Sequence, residues 1–192
     1  MSGKNEKEKH KKEAMLEATG NAVAIPEGTS IEIKGETVHV KGKLGENMRN
    51  FDGHLLKVSV EGGKVLIKAT QEKSLRKRGA LSVNSIAKEI SNDIKGVNGY
   101  FEVNMETVFL HFPVTLEAKG EVFTIKNIFG ERKPRTAKIV GSAKVEIKDK
   151  DVRIYGTSLN DVSQTAANIR QACKINNKDV RVFQDGIYPV LE

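Results

Sequence analysis

Aromatic residues are scarce in this chain: they make up 5% of its 192 residues, and tryptophan is absent. Proteins that read single-stranded nucleic acid need aromatic side chains on which the bases can stack. The composition therefore disfavours that class of nucleic-acid reader. If the partner is a nucleic acid, binding through phosphates, sugars and shape is favoured instead.

Cysteine and long hydrophobic runs are also nearly missing. The single cysteine, Cys173, excludes an internal disulfide and every multi-cysteine metal site, so we expect a protein of a reducing, intracellular compartment. The longest early apolar run, residues 22–25, is too short for a signal-peptide core or a membrane span. We therefore expect a soluble protein that is not exported and has no membrane partner.

Sequence patterns of catalysis, metal binding and cofactor binding are absent as well. The histidines stand far apart and without metal-ligand spacing: they are His10, His39, His54 and His111. No glycine-rich stretch has a Walker A or dinucleotide-binding pattern. Two repeated carboxylate pairs, Glu32 with Glu117 and Glu36 with Glu121, lie beside predicted turns and form no acid/base arrangement. These absences predict no enzyme, no metal and no cofactor.

Basic residues, by contrast, are abundant. Thirty-two Lys and Arg stand against 25 Asp and Glu, which gives a formal net charge of +7 and a pI near 9.4. Cations that neutralise phosphates release condensed counterions, so such a charge favours a polyanionic partner, with nucleic acid as the leading candidate.

An internal repeat organises the chain. Residues 31–46, IEIKGETVHVKGKLGE, are identical to residues 116–131, LEAKGEVFTIKNIFGE, at 7 of 16 positions, where roughly one identity is expected by chance. The apolar positions agree too, since Val38 and Val40 align with Phe123 and Ile125. Further downstream, residues 65–67 match residues 152–154 in the same way. The sequence therefore predicts a duplicated structural unit.

Each copy shows the same order of elements. Alternating apolar residues around short turns predict two antiparallel hairpins, with turns at residues 34–36 and 62–63 in the first copy. Helical spacing follows in each copy: Val83, Ile86, Ala87, Ile90 and Ile94 in the first, and Val162, Ala166, Ile169 and Cys173 in the second. The pattern predicts an α+β protein of two tandem similar domains, each a small antiparallel sheet packed against one helix.

Composition and helix-end signals suggest the domain boundaries. Residues 1–21 are rich in Lys and Glu and have little to bury, which predicts a charged mobile N-terminal extension. Gly96 and Gly99 are placed to end the first helix, and Ser158 and Asn160 are candidate caps for the second. We predict a first repeat at 22–98 and a second at 99–192.

Two clusters of cations are candidate RNA-binding sites. In residues 130–138, four cations surround Pro134, which predicts a basic loop suited to phosphates and 2′-hydroxyls: Arg132, Lys133, Arg135 and Lys138. A second cluster near the start of the first helix contains Arg76, Lys77 and Arg78. For both clusters the alternative is an ordinary solvated run of charge.

Several motifs in order resemble one family, the large-subunit ribosomal protein called L-six in bacteria and archaea and L-nine in eukaryotes. The resemblance covers residues 24–188. It is carried by IPEG at Ile25, VKGKLG at Val40, HFP at His111, IKNIFGERKPR at Ile125, QTAANIRQ at Gln164 and DVRVFQDGIY at Asp179. The amino-acid sequences of the later motifs resemble those of the archaeal and eukaryotic branch of the family.

The resemblance implies a structural constituent of the large ribosomal subunit, located in cytoplasmic ribosomes. Its second repeat would bind large-subunit rRNA near the sarcin-ricin loop and the stalk base, beside neighbouring ribosomal proteins and close to docking translational GTPases. Carried onto this sequence, the family's RNA-contact regions fall on the loop, the second helix and the tail: Arg132, Lys133 and Arg135, then Gln164, Asn168 and Arg170, then Arg181, Gln184 and Tyr188. The rival hypothesis is a free-standing protein-interaction module that uses exposed sheet edges.

Overall fold

Two units make up the structure, residues 1–98 and residues 99–192. It is a computed structural model that describes residues 20–70, 76–110, 112–175, 179 and 181–190. Most of the predicted N-terminal extension, residues 1–19, lies outside the described residues, while Gly20 and Asn21 open the first strand.

The first unit contains six strands and one helix among its described residues. They are β1 (Gly20–Ala24), β2 (Ser30–Lys34), β3 (Thr37–Lys41), β4 (Glu46–Asn50), β5 (Leu56–Glu61), β6 (Lys64–Ala69) and α1 (Arg76–Asn98). The strands form two antiparallel sheets, ordered β1-β6-β5 and β2-β3-β4. Helix α1 contacts strands of both sheets and closes the core of this unit.

The second unit repeats this arrangement and adds one strand. Its elements are β7 (Phe101–Val108), β8 (Thr115–Lys119), β9 (Val122–Lys126), a 3₁₀ turn (Ile128–Gly130), β10 (Arg135–Lys138), β11 (Lys144–Lys148), β12 (Asp151–Gly156), α2 (Leu159–Ala172) and β13 (Gly186–Pro189). The sheets are ordered β8-β9-β10 and β11-β12-β7-β13, again antiparallel. The predicted α+β class is confirmed, and the structure adds that each unit holds two small sheets.

The duplicated part of the core lies on β3, the central strand of the β2-β3-β4 sheet, and on β9, the central strand of the β8-β9-β10 sheet. Val38 and Val40 on β3, and their counterparts Phe123 and Ile125 on β9, are all fully buried. Successive side chains of a strand point to opposite faces, so residues two apart share a face. The face that buries Val38 therefore also buries Val40, and the face that buries Phe123 also buries Ile125. The turns before these strands use Gly35 and Gly120 at positive φ, a conformation that glycine adopts without steric penalty. Sequence repeat and structural repeat therefore coincide.

The helix ends differ in part from the sequence prediction. Gly96 lies inside α1, which continues to Asn98. In the second unit Ser158 caps α2, because its Oγ accepts a hydrogen bond from the backbone N–H of Asp161. Asn160 is exposed inside the helix and is not the cap.

An arginine joins sheet and helix in the first unit. Arg49 on β4 donates from Nε and Nη2 to both carboxylate oxygens of Asp93 on α1, at 3.0 and 2.9 Å. Asp93 is 1% exposed and also accepts from Asn47. A second, longer contact joins Arg49 to Glu89 at 3.5 Å. The bidentate geometry fixes the helix against the third strand of the sheet.

We predict that Asp93→Ala lowers the free energy of unfolding of the first unit by roughly 2–4 kcal/mol, because it leaves the largely buried Arg49 without its main partner. Glu89→Ala, which removes the more exposed partner, should cost less than about 1 kcal/mol. Urea unfolding followed through amide NMR signals of the first unit measures both. Equal losses for the two variants would contradict this account.

Candidate nucleic-acid interface

The basic loop predicted from the sequence is four residues long, residues 131–134, and lies between the 3₁₀ turn and β10. Arg132 and Lys133 are exposed on it. The remaining two cations of the cluster, Arg135 and Lys138, belong to β10. Pro134 allows this because it precedes the strand, and β10 is an edge strand that pairs only with β9. The predicted loop is therefore half loop and half edge strand.

Arg135 is held inside the second unit. Its Nε and Nη2 donate to the two carboxylate oxygens of Glu131, at 2.8 and 2.6 Å. Its Nη1 donates to the backbone carbonyls of Ala172 and Lys174 at the end of α2, at 3.0 and 2.8 Å. The Glu131 carboxylate raises the pKa of Arg135 above its ordinary value. The side chain is 24% exposed, in contrast with the exposed Arg132 and Lys133.

The candidate residues of α2 form a short chain of hydrogen bonds toward β10. Gln164 donates to the side-chain oxygen of Asn168 at 2.9 Å, and Asn168 donates to the backbone carbonyl of Lys138 at 2.9 Å. The Lys138 side chain remains exposed. Arg170, in the last turn of the helix, is exposed as well. Helix and edge strand therefore present their cations from one connected framework.

The candidate residues of the tail support one another. The Tyr188 hydroxyl donates to the backbone carbonyl of Gln184 at 3.2 Å, and the Gln184 amide donates to the carbonyl of Arg181 at 3.1 Å. A Cβ added at Gly186 would lie 3.0 Å from the Tyr188 ring, so the ring packs directly over that glycine. The side chains of Arg181, Gln184 and Tyr188 are all exposed.

Comparison with known proteins decides the family. The model of the family described as Ribosomal protein L6 matches residues 112–186. The large ribosomal subunit protein uL6 of Methanocella arvoryzae is 39% identical over 167 residues, which is 86% of this chain and 93% of the relative. The uL6 proteins of Methanobrevibacter smithii and Methanosphaera stadtmanae are 42% and 43% identical, cover 86% and 88% of this chain, and are themselves covered to 92% and 90%. The chain belongs to the ribosomal protein L6 family. The expected archaeal type is confirmed by these relatives.

In this L6-family chain, helix and tail also line one groove of about 740 Å³ within the second unit. Arg170 lies on its helix side and Tyr188 on its tail side. Lys174, four residues after Arg170, also lines the groove and is exposed. Buried Asp185 lies in the lining, where its carboxylate accepts the backbone N–H of Leu110 at 2.9 Å. Two of the three regions predicted from the family resemblance therefore border the same concavity.

Two residues of this site, Lys174 and Glu131, are not among those predicted from the sequence. Lys174 stands one helical turn beyond Arg170, and that spacing is visible in the sequence. Glu131 stands four residues before Arg135, a spacing at which opposite charges often pair. The ion pair between Glu131 and Arg135 could therefore have been predicted from the sequence.

The cluster of the first unit is described only in part. Arg78 is exposed in the early part of α1, and its backbone carbonyl accepts the Ser82 hydroxyl. The side chains of Arg76 and Lys77 lie outside the described residues, as do residues 71–75. A role for this cluster in RNA binding stays a prediction.

Metal and membrane features are missing from the described part of the chain. No group of three or more His, Cys, Asp or Glu side chains there could hold a metal ion. Of the candidate histidines, His39 hydrogen-bonds Glu46 at 2.9 Å, whereas His10 and His111 lie outside the described residues. No helix among those described is long and apolar enough to span a membrane.

Cys173 is buried at the end of α2 and behaves as part of the core. Burial raises the pKa of its thiol to about 11, since charge is disfavoured away from water. We predict that iodoacetamide at pH 8 alkylates Cys173 in the folded chain about a hundredfold more slowly than in concentrated guanidinium chloride, because little reactive thiolate is present. Mass spectrometry over time measures both rates, and similar rates would show that the thiol is accessible and acidic in the fold.

Proposed function

We propose that the second unit provides the main binding surface for large-subunit rRNA. This surface consists of the loop at residues 131–134, the end of α2 and the tail at residues 181–188. As a member of the L6 family, the chain is a structural, non-enzymatic constituent of the archaeal-type large ribosomal subunit and is located in cytoplasmic ribosomes. Its partners are rRNA and other ribosomal proteins. What is proposed is which surface makes the RNA contacts.

The observation that carries this proposal is the joining of three regions within one unit. Arg135 ties the loop to the end of α2, Asn168 ties the helix to β10, and the groove lies between helix and tail. RNA helices are recognised mainly through phosphates and 2′-hydroxyls across a surface, which suits exposed cations on a rigid frame. Six exposed cations belong to the loop, β10, the end of α2 and the tail, and we propose that they form this face: Arg132, Lys133, Lys138, Arg170, Lys174 and Arg181.

Local placement of charge, and not its total, favours the second unit. Residues 1–98 contain 18 Lys and Arg against 13 Asp and Glu, whereas residues 99–192 contain 14 against 12. Much of the acidic charge of the second unit is matched internally, because Arg153 pairs with Glu102 and Lys126 pairs with Glu117. Among the described residues the six cations of the proposed face form no such ion pair, so they remain available to phosphates.

We extend the proposal to the position on the ribosome that the family resemblance implies. The second unit would meet rRNA near the sarcin-ricin loop, beside proteins of the stalk base and close to the region where translational GTPases dock. The first unit would brace neighbouring rRNA or protein. A free-standing sheet-edge module, the alternative considered from the sequence, has no support from the family membership.

The test is a pair of matched double variants of the full chain. Arg132→Ala with Lys133→Ala should weaken binding to an rRNA transcript that contains the sarcin-ricin region. It should also lower the slope of log K against log salt by about two, one for each lost phosphate contact. Filter binding over a range of potassium chloride concentrations measures both quantities.

The control removes the same charge from another part of the second unit. Lys144→Ala with Lys148→Ala changes two exposed lysines of β11, the strand at the opposite edge of the sheet from β13. This variant should leave the salt slope nearly unchanged. If both double variants lower the slope equally, binding depends on total charge and the proposed face is wrong.

A further inference from the structure

The two copies of the repeat differ at the base of the basic loop. Arg135 pairs across the sheet with Ile125, and Asn47 pairs with Val40 at the equivalent place in the first unit. Ten positions separate the partners in the second unit, against seven in the first. The second copy therefore contains three additional residues at this point, residues 132–134, and they belong to the four-residue loop that carries Arg132 and Lys133.

The equivalent side chains reach the helix in both copies but bind different groups there. Asn47 donates to the carboxylate of Asp93, a side chain in the C-terminal part of α1. Arg135 donates to main-chain carbonyls at the end of α2 and holds the carboxylate of Glu131 at the start of the loop. The second copy has thus replaced a contact between strand and helix with one that joins strand, helix and loop.

The backbone that enters the loop is held in an unfavourable conformation. Phe129 has φ 54, in the left-handed region that bulky side chains rarely adopt, and Asn127, a residue type that tolerates this region better, has φ 60. Such a conformation persists only where surrounding contacts enforce it. Phe129 is 7% exposed, its ring lies 5.3 Å from the Arg135 guanidinium, and the Asn127 amide donates to the carbonyl of Pro113. In the first copy Leu44 stands at the position of Phe129, has no positive φ and is 36% exposed.

We propose that Arg135 is a positioning residue that makes no essential RNA contact itself. It fixes the loop to the end of α2 so that Arg132 and Lys133 are presented in one orientation. This inference rests on the proposed function, since it assumes that the loop binds RNA. It changes the role of Arg135 from the RNA contact predicted on the sequence to a support for its two neighbours.

The hydrogen bonds of Arg135 explain why it is unsuited to direct binding. A guanidinium has five N–H donors, and four of them are engaged within the unit: two with Glu131, one with Ala172 and one with Lys174. Turning this group toward a phosphate would release a carboxylate and two helix-end carbonyls. Arg132 and Lys133 carry exposed charges without that cost.

The sharpest test uses Glu131, because positioning and simple electrostatics predict opposite signs. Glu131→Ala removes a negative charge beside the RNA surface, so electrostatics alone predicts tighter binding to the rRNA transcript. If Glu131 and Arg135 position the loop, the same variant should bind about three- to tenfold more weakly, because a disordered loop must be ordered on binding. Glu121→Ala, a matched loss of an exposed carboxylate at a hairpin turn of the same unit, should not weaken binding.

Arg135 itself gives a second signature. Arg135→Ala should weaken binding while leaving the salt slope unchanged, since no phosphate contact is lost, whereas Arg132→Ala should lower the slope by about one. Arg135→Lys should not restore affinity, because an ammonium group cannot hold the carboxylate and both carbonyls in the same planar geometry. In the Arg132→Ala, Lys133→Ala background, Glu131→Ala should weaken binding little further, which separates loop positioning from general destabilisation.

Loop order can also be measured without RNA. The heteronuclear NOE values of the Arg132 and Lys133 amides should fall in Glu131→Ala relative to the parent chain, while those of β9 stay unchanged. Tighter RNA binding by Glu131→Ala, or unchanged amide order, would overturn the positioning role and leave the proposed RNA face intact. If the Arg132→Ala, Lys133→Ala variant binds RNA with unchanged affinity and slope, the loop contact and the positioning role both fail.

Discussion

Both units depend on one constraint: alternate side chains are buried on β3, the central strand of the β2-β3-β4 sheet, and on β9, the central strand of the β8-β9-β10 sheet. Val38 and Val40 in one copy, and Phe123 and Ile125 in the other, have no exposed surface. A slip of one residue would turn these side chains to the opposite face, so the register of the sheet is strongly specified. The helix, the turns and the loop are all placed relative to that fixed strand.

Duplication then allowed the same scaffold to be used in two ways. In the first unit the sheet is joined to its helix by the Arg49–Asp93 pair, and both partners belong to regular elements. In the second unit Arg135, at the position of Asn47, joins the sheet to main-chain atoms at the end of α2 and to Glu131, next to an inserted loop. The second unit therefore has a contact between sheet and helix that also holds the loop proposed to bind RNA.

The sequence was sufficient for the parts of the fold that depend on periodicity. Alternation around the turn at residues 34–36 predicted the first hairpin, and helical spacing with Ser158 and Asn160 as candidate caps predicted α2, where Ser158 is the cap. Periodicity could not show that each unit divides its strands between two sheets, because sheet membership depends on pairings between distant residues. The segment at residues 186–189 was expected only as a tail, yet it forms β13, since a short strand with little alternation gives no signal of its own.

Most residues of the candidate site were proposed from the sequence, but the hydrogen bonds that each side chain forms were not. A run of cations around Pro134 predicts one candidate segment, and the family resemblance adds the helix and the tail. Sequence alone does not show that the Arg135 guanidinium forms hydrogen bonds within the second unit whereas Arg132 is exposed to solvent. That difference depends on where the end of α2 lies, which is a property of tertiary packing.

The added strand β13 has a consequence for how the chain matures during synthesis. Ile187 pairs with Thr107 on β7, so the four-stranded sheet joins the first strand of the second unit to a strand that follows α2 in the sequence. The first unit has all its described strands and its helix by Asn98 and can fold while translation continues. The second unit can complete its four-stranded sheet only once β13 has left the exit tunnel, so the proposed RNA face is finished later than the first unit.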